Sequence, residues 1–297
     1  MGGSGGIRQP KGILSLKPEA FMKQKITLDK EAETLLIPLY GRAMMSRAGK
    51  IIHDPFAEET LQKIDYDFSK LKVEEKIQVF MGIRGAIIDD FTKQFLEDNP
   101  ESLVVYLGCG LDSRFFRVDN GKVRWYDLDF PQVTDIKGAL FTQNERYSLI
   151  ASSVTDDAWL EKISKEDIGK PTLVIAEGLL MYLSEQEVRQ LLKNIRDTFI
   201  KSMLIFDAYS SLTARHAMRP QSLKKTGASI RWGTDSHKEI EAFGAGIIFL
   251  QKKYLTEYDM HSLSGYYRFM FRVAGRFKAA KEAHRIFVFE LESKINK

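Results

Sequence analysis

The spacing of apolar and polar residues changes once along the chain, near residue 102. Before that point, residues 17–100 carry a helical pattern. "KPEAFMKQ" opens with Pro18 and Glu19, which suit a first helical turn. "HDPFAEETLQKI" offers Asp54 as an N-cap and Pro55 at the first helical position. In "EEKIQVFMGIRGAIIDDFTKQFLED", residues Ile77, Phe80, Met81, Arg84, Ile87, Ile88, Phe91 and Phe95 fall near one face. All are apolar except Arg84, which is either a snorkelling side chain at the edge of the stripe or a cation aimed into a ligand site.

After residue 102, short β-rich runs alternate with helical ones. "LVVYLG" (103–108), "VRWYDLD" (123–129), "YSLIAS" (147–152), "TLVIAEG" (172–178) and "SMLIFDAY" (202–209) read as strands. "FPQVTDIKGALFTQ", "DDAWLEKI" and "SEQEVRQLLKNIRDTFI" read as the helices between them, the last with Ser184 as N-cap and Glu187 completing a capping box. This alternation predicts a parallel sheet with crossover helices. "IRWGTDSHKEIEAFGAG" adds a loop and a helix, and "GIIFLQKKYL" and "HRIFVFELE" two further strands. The expected organisation is an α/β domain over residues 101–297, with a substrate-side insert at about 209–236 and a helical N-terminal cap over 7–100. Residues 1–6, "MGGSGG", read as a cloning remnant.

The 297 residues are 44% hydrophobic and 28% charged, as in ordinary globular proteins, and the formal net charge of +4 is too small to argue for nucleic acid. One cysteine, Cys109, excludes an internal disulfide and a cysteine-cluster metal site, and the histidines form no metal motif. No run approaches the roughly 18 apolar residues of a membrane span. The expected setting is the cytoplasm, with no metal, no membrane and no nucleic acid among the partners.

The chemistry concentrates in "VVYLGCGLDSRFFR". A phosphate-binding loop would need Lys after its last glycine, and here Leu111 and Asp112 follow Gly110. A dinucleotide fingerprint would need a third glycine where Ser113 stands. Yet "WYDLDFP" places Asp127 and Asp129 at the end of the next strand, where an acid accepts hydrogen bonds from ribose hydroxyls. Glu177 and Gly178 follow the fourth strand, where ligands of open α/β sheets bind. Glu177 is either a carboxylate facing a cationic ligand or a solvated loop acid. Close backbone approach, a ribose acid, tolerated carboxylates and a cation for the ligand's own carboxylate together suit S-adenosylmethionine.

"YLGCGLDSRFFR", "WYDLDFPQVTDIK" and "IAEGLLMYLSEQEV" together resemble the leucine carboxyl methyltransferase family, including its bacterial tetracenomycin-type polyketide O-methyltransferases. "LLIPLYGRAMMSRAGKIIHDPFAEE" and "IRWGTDSHKEIEAFGAGIIFL" extend the resemblance to roughly residues 34–290. It implies a class I S-adenosylmethionine-dependent methyltransferase: a Rossmann-like, mostly parallel sheet of seven strands, the last antiparallel. It further implies that Arg84 holds the cofactor carboxylate with Arg42, and that Gly108 and Gly110 form the glycine loop. Asp129 would bind the ribose, Ser153 and Val154 would line the adenine, and Glu177 would be the acid after strand four. Asp127 is expected to turn away from the site.

The implied reaction is O-methylation of a small-molecule metabolite such as a polyketide-like compound, on a carboxylate in first place and a hydroxyl in second, with S-adenosylhomocysteine as the second product. A carboxylate is already anionic at pH 7 and needs no strong base; no catalytic dyad is visible in sequence. Tyr40, Arg231 and Trp232 are the candidates for positioning the acceptor. Rival readings are a protein C-terminal carboxyl methyltransferase and a non-catalytic cofactor-binding protein. An oxidoreductase is disfavoured because Tyr66–Lys70, the only Tyr-x-x-x-Lys, lies upstream of the glycines. A nucleic-acid methyltransferase would rest on Arg268, Arg272, Arg276 and Lys278 among aromatics, a pattern more typical of a solvated basic face.

Overall fold

The computed structural model describes residues 33–217, 229–259 and 261–293. The predicted start at Pro18 and part of the insert lie outside these residues. Three helices come first, α1 (Glu33–Arg47), α2 (Pro55–Lys63) and α3 (Glu75–Asp98). The α/β part then runs β1 (Leu103–Leu107), α4 (Arg114–Val118), β2 (Arg124–Asp129), α5 (Pro131–Leu140) and β3 (Tyr147–Ala151). It continues through α6 (Ala158–Glu161), α7 (Lys165–Ile168), β4 (Thr172–Ala176), α8 (Glu185–Thr198), β5 (Lys201–Tyr209) and α9 (Ser211–Ala217). Beyond these come β6 (Ile247–Tyr254), a helix over Gly265–Ala274 and β7 (His284–Glu292).

The strands form one sheet of order β3-β2-β1-β4-β5-β7-β6. β1 to β5 are mutually parallel, and β7 runs antiparallel between β5 and β6. Helices cover both faces, so the central strands are apolar on both sides. Alternate residues of β1 divide between two cores: Val104 and Tyr106 join the one shared with α1 to α3, and Leu103, Val105 and Leu107 the one under α8. The N-terminal helices therefore share a core with the sheet. Mid-α3 is buried all round, from Gly82 to Asp89, because α1 packs on one side and the sheet lies on the other. This is why Val79 and Ile83, off the predicted stripe, are also buried.

The predicted caps are present. Asp54 accepts the backbone N–H of Ala57, and Ser184 and Glu187 form the capping box of α8. The basic C-terminal segment buries Tyr267 and Phe271 and leaves Arg268, Arg272, Arg276 and Lys278 exposed. No helix among the described residues is long and apolar enough to cross a membrane. Replacing Ser184 with Ala removes the acceptor for the Glu187 N–H and should cost about 1 kcal/mol, read as a lowered midpoint in denaturant with an unchanged slope.

Candidate functional site

The parallel strands all end on one edge, and the sequence candidates gather there. Gly108 and Gly110 turn the chain after β1 with φ of 60° and 51°, which side-chain-bearing residues rarely adopt. A Cβ on Gly110 would meet nothing closer than Leu35 at 3.6 Å, so the backbone is open to a ligand's approach. Asp129, at the end of β2, accepts the Gly110 N–H and its neighbour Phe130's N–H, each at 2.8 Å. Burial pushes its carboxyl up, and the two N–H donors offset part of that.

Asp127 points to the same side of β2 as Asp129, since positions two apart share a face. Depth separates the two acids, correcting the expectation that Asp127 turns away. Asp127 is enclosed, accepting from Trp125 Nε1 (2.7 Å) and the Tyr147 hydroxyl (2.8 Å), and Lys137 Nζ stands 2.7 Å from it. It is a structural acid, and Asp129 is the one facing the edge.

Arg84 is buried, but its partners are carboxylates of the chain itself. Nε donates to Glu177 at 2.8 Å and Nη1 to Asp207 at 3.2 Å. Both snorkelling and a solvated Glu177 are thereby excluded. The pair belongs to a larger buried network. Arg114 bonds Asp89 (2.7 Å) and Glu177; Arg117 bonds Asp89 (2.6 Å), Asp112 and Asp54 (3.2 Å); Arg42 bonds Asp54 (3.3 Å) and lies 3.6 Å from Asp112. Four arginines thus face five carboxylates, counting Asp207, for a local charge of −1. Burial opposes ionisation of Asp112, Glu177 and Asp207; the arginines hold all three below the usual carboxylate range all the same. Nη1 of Arg114 is buried with no hydrogen-bond partner among the described residues.

Sequence reasoning missed Arg114, Arg117, Asp89, Asp112 and Asp207. Arg114 and Arg117 sit three apart beside Asp112 directly after the glycines, a spacing that places two cations on one side of a short helix. Asp89 and Asp207 carry no local signal.

Ser153 and Val154 follow β3 as expected. Ser153 bonds Thr155 at 2.8 Å, and Val154 helps line a groove of about 350 Å³ with Ser184, Glu187, Leu191 and Asn194. The acceptor candidates fare differently. Trp232 is buried in the core against Phe206, and Arg231 is an exposed partner of Glu187 at 3.0 Å. Neither forms the expected wall and cation, because the chain pairs Arg231 N–H with Met181 O and turns the indole inward. Tyr40 stacks on Phe68 within the helical layer.

The network carries two expectations for stability. Arg84→Met leaves Glu177 and Asp207 without a shared cation, so it should lower unfolding free energy by about 3–5 kcal/mol, read by denaturant titration. Because folding depresses Asp112, Glu177 and Asp207, their contribution is fully present above the unfolded carboxylate range near pH 4 and is lost as pH falls through the lower folded values. Thermal melts across pH 3–7 should show the midpoint falling steeply only at the acid end.

Comparison with known proteins agrees with this geometry. The family model described as leucine carboxyl methyltransferase matches residues 36–196. Tetracenomycin polyketide synthesis O-methyltransferase TcmP of Streptomyces glaucescens is 34% identical over 78% of this chain and 85% of its own length. The S-adenosyl-L-methionine-dependent methyltransferase dpfgK of Gibberella zeae is 29% identical over 86% and 93%. A solved DUF574 family protein from Streptomyces avermitilis shares the fold, with a TM-score of 0.58, 12% identity and coverage of 88% and 99%. The chain belongs to the leucine carboxyl methyltransferase family and is an S-adenosylmethionine-dependent methyltransferase.

Proposed function

We propose that the chain methylates an oxygen, carboxylate or hydroxyl, of a small-molecule metabolite, leaving S-adenosylhomocysteine. The observation that carries this reading is the order of groups along the sheet edge. Ser153 and Val154 follow β3, Asp129 ends β2, Gly108 and Gly110 follow β1, and Glu177 with Arg84 stands after β4. That order matches adenine, ribose and amino acid laid end to end. The residues fit the cofactor: the backbone at Gly110 is open, Asp129 is an acceptor at the edge, and the local charge of −1 suits a sulfonium.

Ser153 and Val154 would line the adenine, and Asp129 would accept from the ribose hydroxyls. Gly108 and Gly110 would lie against the methionine part, with Glu177 toward its cationic end. Arg84 would meet the carboxylate through Nη2, the nitrogen that Glu177 and Asp207 do not engage, with Arg42 as the second cation. When bound, the cofactor supplies an activated methyl group. The chain's own contribution is to place the acceptor oxygen in line with that methyl and to exclude water from the path. TcmP is named for polyketide synthesis, which supports a small-molecule acceptor over a protein one.

Calorimetry should show S-adenosylmethionine or S-adenosylhomocysteine binding, with no comparable binding of NAD or ATP; tight ATP binding alone would sink the reading. Asp129→Ala should weaken cofactor binding by about 1.5–3 kcal/mol with little change in melting temperature. Asp127→Ala should do the reverse, lowering stability first, since it strands Lys137, Trp125 Nε1 and Tyr147.

A further inference from the structure

The apolar side chains that the fold covers least are not scattered. Tyr266, Phe269 and Phe277, exposed by 69%, 65% and 64%, are the most open large apolar residues among those described. All three lie in the connection between β6 and β7. From Met260 to Lys281 this stretch has no Asp or Glu, and it carries Arg268, Arg272, Arg276, Lys278 and Lys281. Lys281 is paired with Glu257 at 2.7 Å, and Asp259, at the border, lies 3.6 Å from His261. The other four cations are exposed and have no carboxylate partner among the described residues.

The Gly265–Ala274 helix turns Tyr267 and Phe271 inward, and Phe271 packs on Phe80 of α3 with ring centres 5.3 Å apart. Helical spacing then puts two stripes on the opposite face. Tyr266, Phe269 and Val273 form an apolar one, and Arg268 and Arg272 a basic one beside it. Arg276, Phe277 and Lys278 continue both past the end of the helix. The surface is the outside of a helix and not a groove; cavities of about 370 and 350 Å³ elsewhere in the fold use none of these side chains. Its place in the molecule is set by the sheet. β5 and β6 both run antiparallel to β7, so the connection from β6 to β7 crosses the edge at which β1 to β5 end. The exposed face therefore stands at the end of the fold that holds Gly108, Gly110 and Asp129.

We infer that this face is a docking surface for an anionic lipid bilayer. Its two stripes match the two layers they would meet. Phe and Tyr rings settle among headgroups and the upper acyl chains, and Arg and Lys pair with headgroup charge. Charge also rules out cover by the chain itself. Residues 1–32, 218–228 and 294–297 each hold more Lys and Arg than Asp and Glu, so none of them complements four free cations. A second copy would meet the face with its own like charges across a two-fold axis. Single-stranded nucleic acid is held in grooves that track its backbone, and the outside of a short helix offers none. No helix among the described residues can cross a bilayer, so the contact is peripheral, and the expectation of no membrane among the partners gives way to it. Docking of this kind is independent of the methyl-transfer reading; on that reading, it brings the strand-end edge to the phase in which apolar acceptors collect.

The test sediments the full chain with two kinds of vesicle, phosphatidylcholine alone and phosphatidylcholine with about a third phosphatidylglycerol. Binding to the anionic vesicles should be about 10-fold tighter or more, and should weaken as salt rises from about 0.1 to about 0.5 M. Phe269→Ser with Phe277→Ser keeps every charge and should weaken that binding about 10-fold. Arg268→Gln with Arg272→Gln keeps every ring and should weaken it about as much, on anionic vesicles only. All four positions are exposed, so melting temperatures should stay within about 2–3 °C of wild type. S-adenosylhomocysteine affinity should be unchanged in both variants, which separates loss of docking from loss of the cofactor site. Equal binding to both vesicles, binding to neither, or unchanged binding in either double variant overturns the inference. So does a single-stranded oligonucleotide that binds more tightly than the anionic vesicles and is released by the same substitutions.

Discussion

Buried charge is the constraint on which the rest of this structure depends. Arg42, Arg84, Arg114 and Arg117 are each almost wholly removed from water, and so are the acids they meet. A lone ion in such a place would be prohibitive, so every member must find its partners at once. Those partners come from α1, the start of α2, α3, the glycine loop with α4, the end of β4 and the end of β5. The network therefore sets how the helical layer sits on the sheet. Apolar packing alone tolerates sliding; interlocked guanidinium forks do not.

The same network shapes the site. Glu177 is held between Arg84 and Arg114, so its position after β4 is decided by two different helices. Gly178 must then follow with φ of 65°, and a Cβ there would stand 3.3 Å from the Arg84 guanidinium. Its N–H goes to Asp207, which closes the circuit to β5. Rigid placement of this kind is what methyl transfer demands, since the reaction depends on alignment over a short distance more than on strong acid or base chemistry.

Much of the fold was legible because its signals are local. The change of period near residue 102 marks the start of the sheet, and the strand assignments agree with the structure within a residue or two. The caps at Asp54 and Ser184 were readable for the same reason, and the glycine loop with Asp129 stood out by spacing. What was not legible arises only in three dimensions. Asp54 reads as a cap, yet it also binds Arg42 and Arg117. Arg84 reads as an anomaly on an apolar stripe, and nothing local tells that Glu177 and Asp207 answer it from 93 and 123 residues away. Trp232 and Arg231 are adjacent in a polar segment, and only the packing against Phe206 reveals that one turns in and the other out.

The antiparallel seating of β7 between β5 and β6 has a consequence for chains that end early. β6 touches the sheet only through β7, which follows it in the chain. Without β7, β5 is an open, apolar edge showing Leu204, Ile205 and Phe206, and β6 has nothing to pair with. A chain that stops before residue 284 thus leaves two strands without their partner. Loss of that one strand opens an apolar edge and frees a second strand at once, so shortened chains should aggregate through β5 and not settle into a smaller sheet.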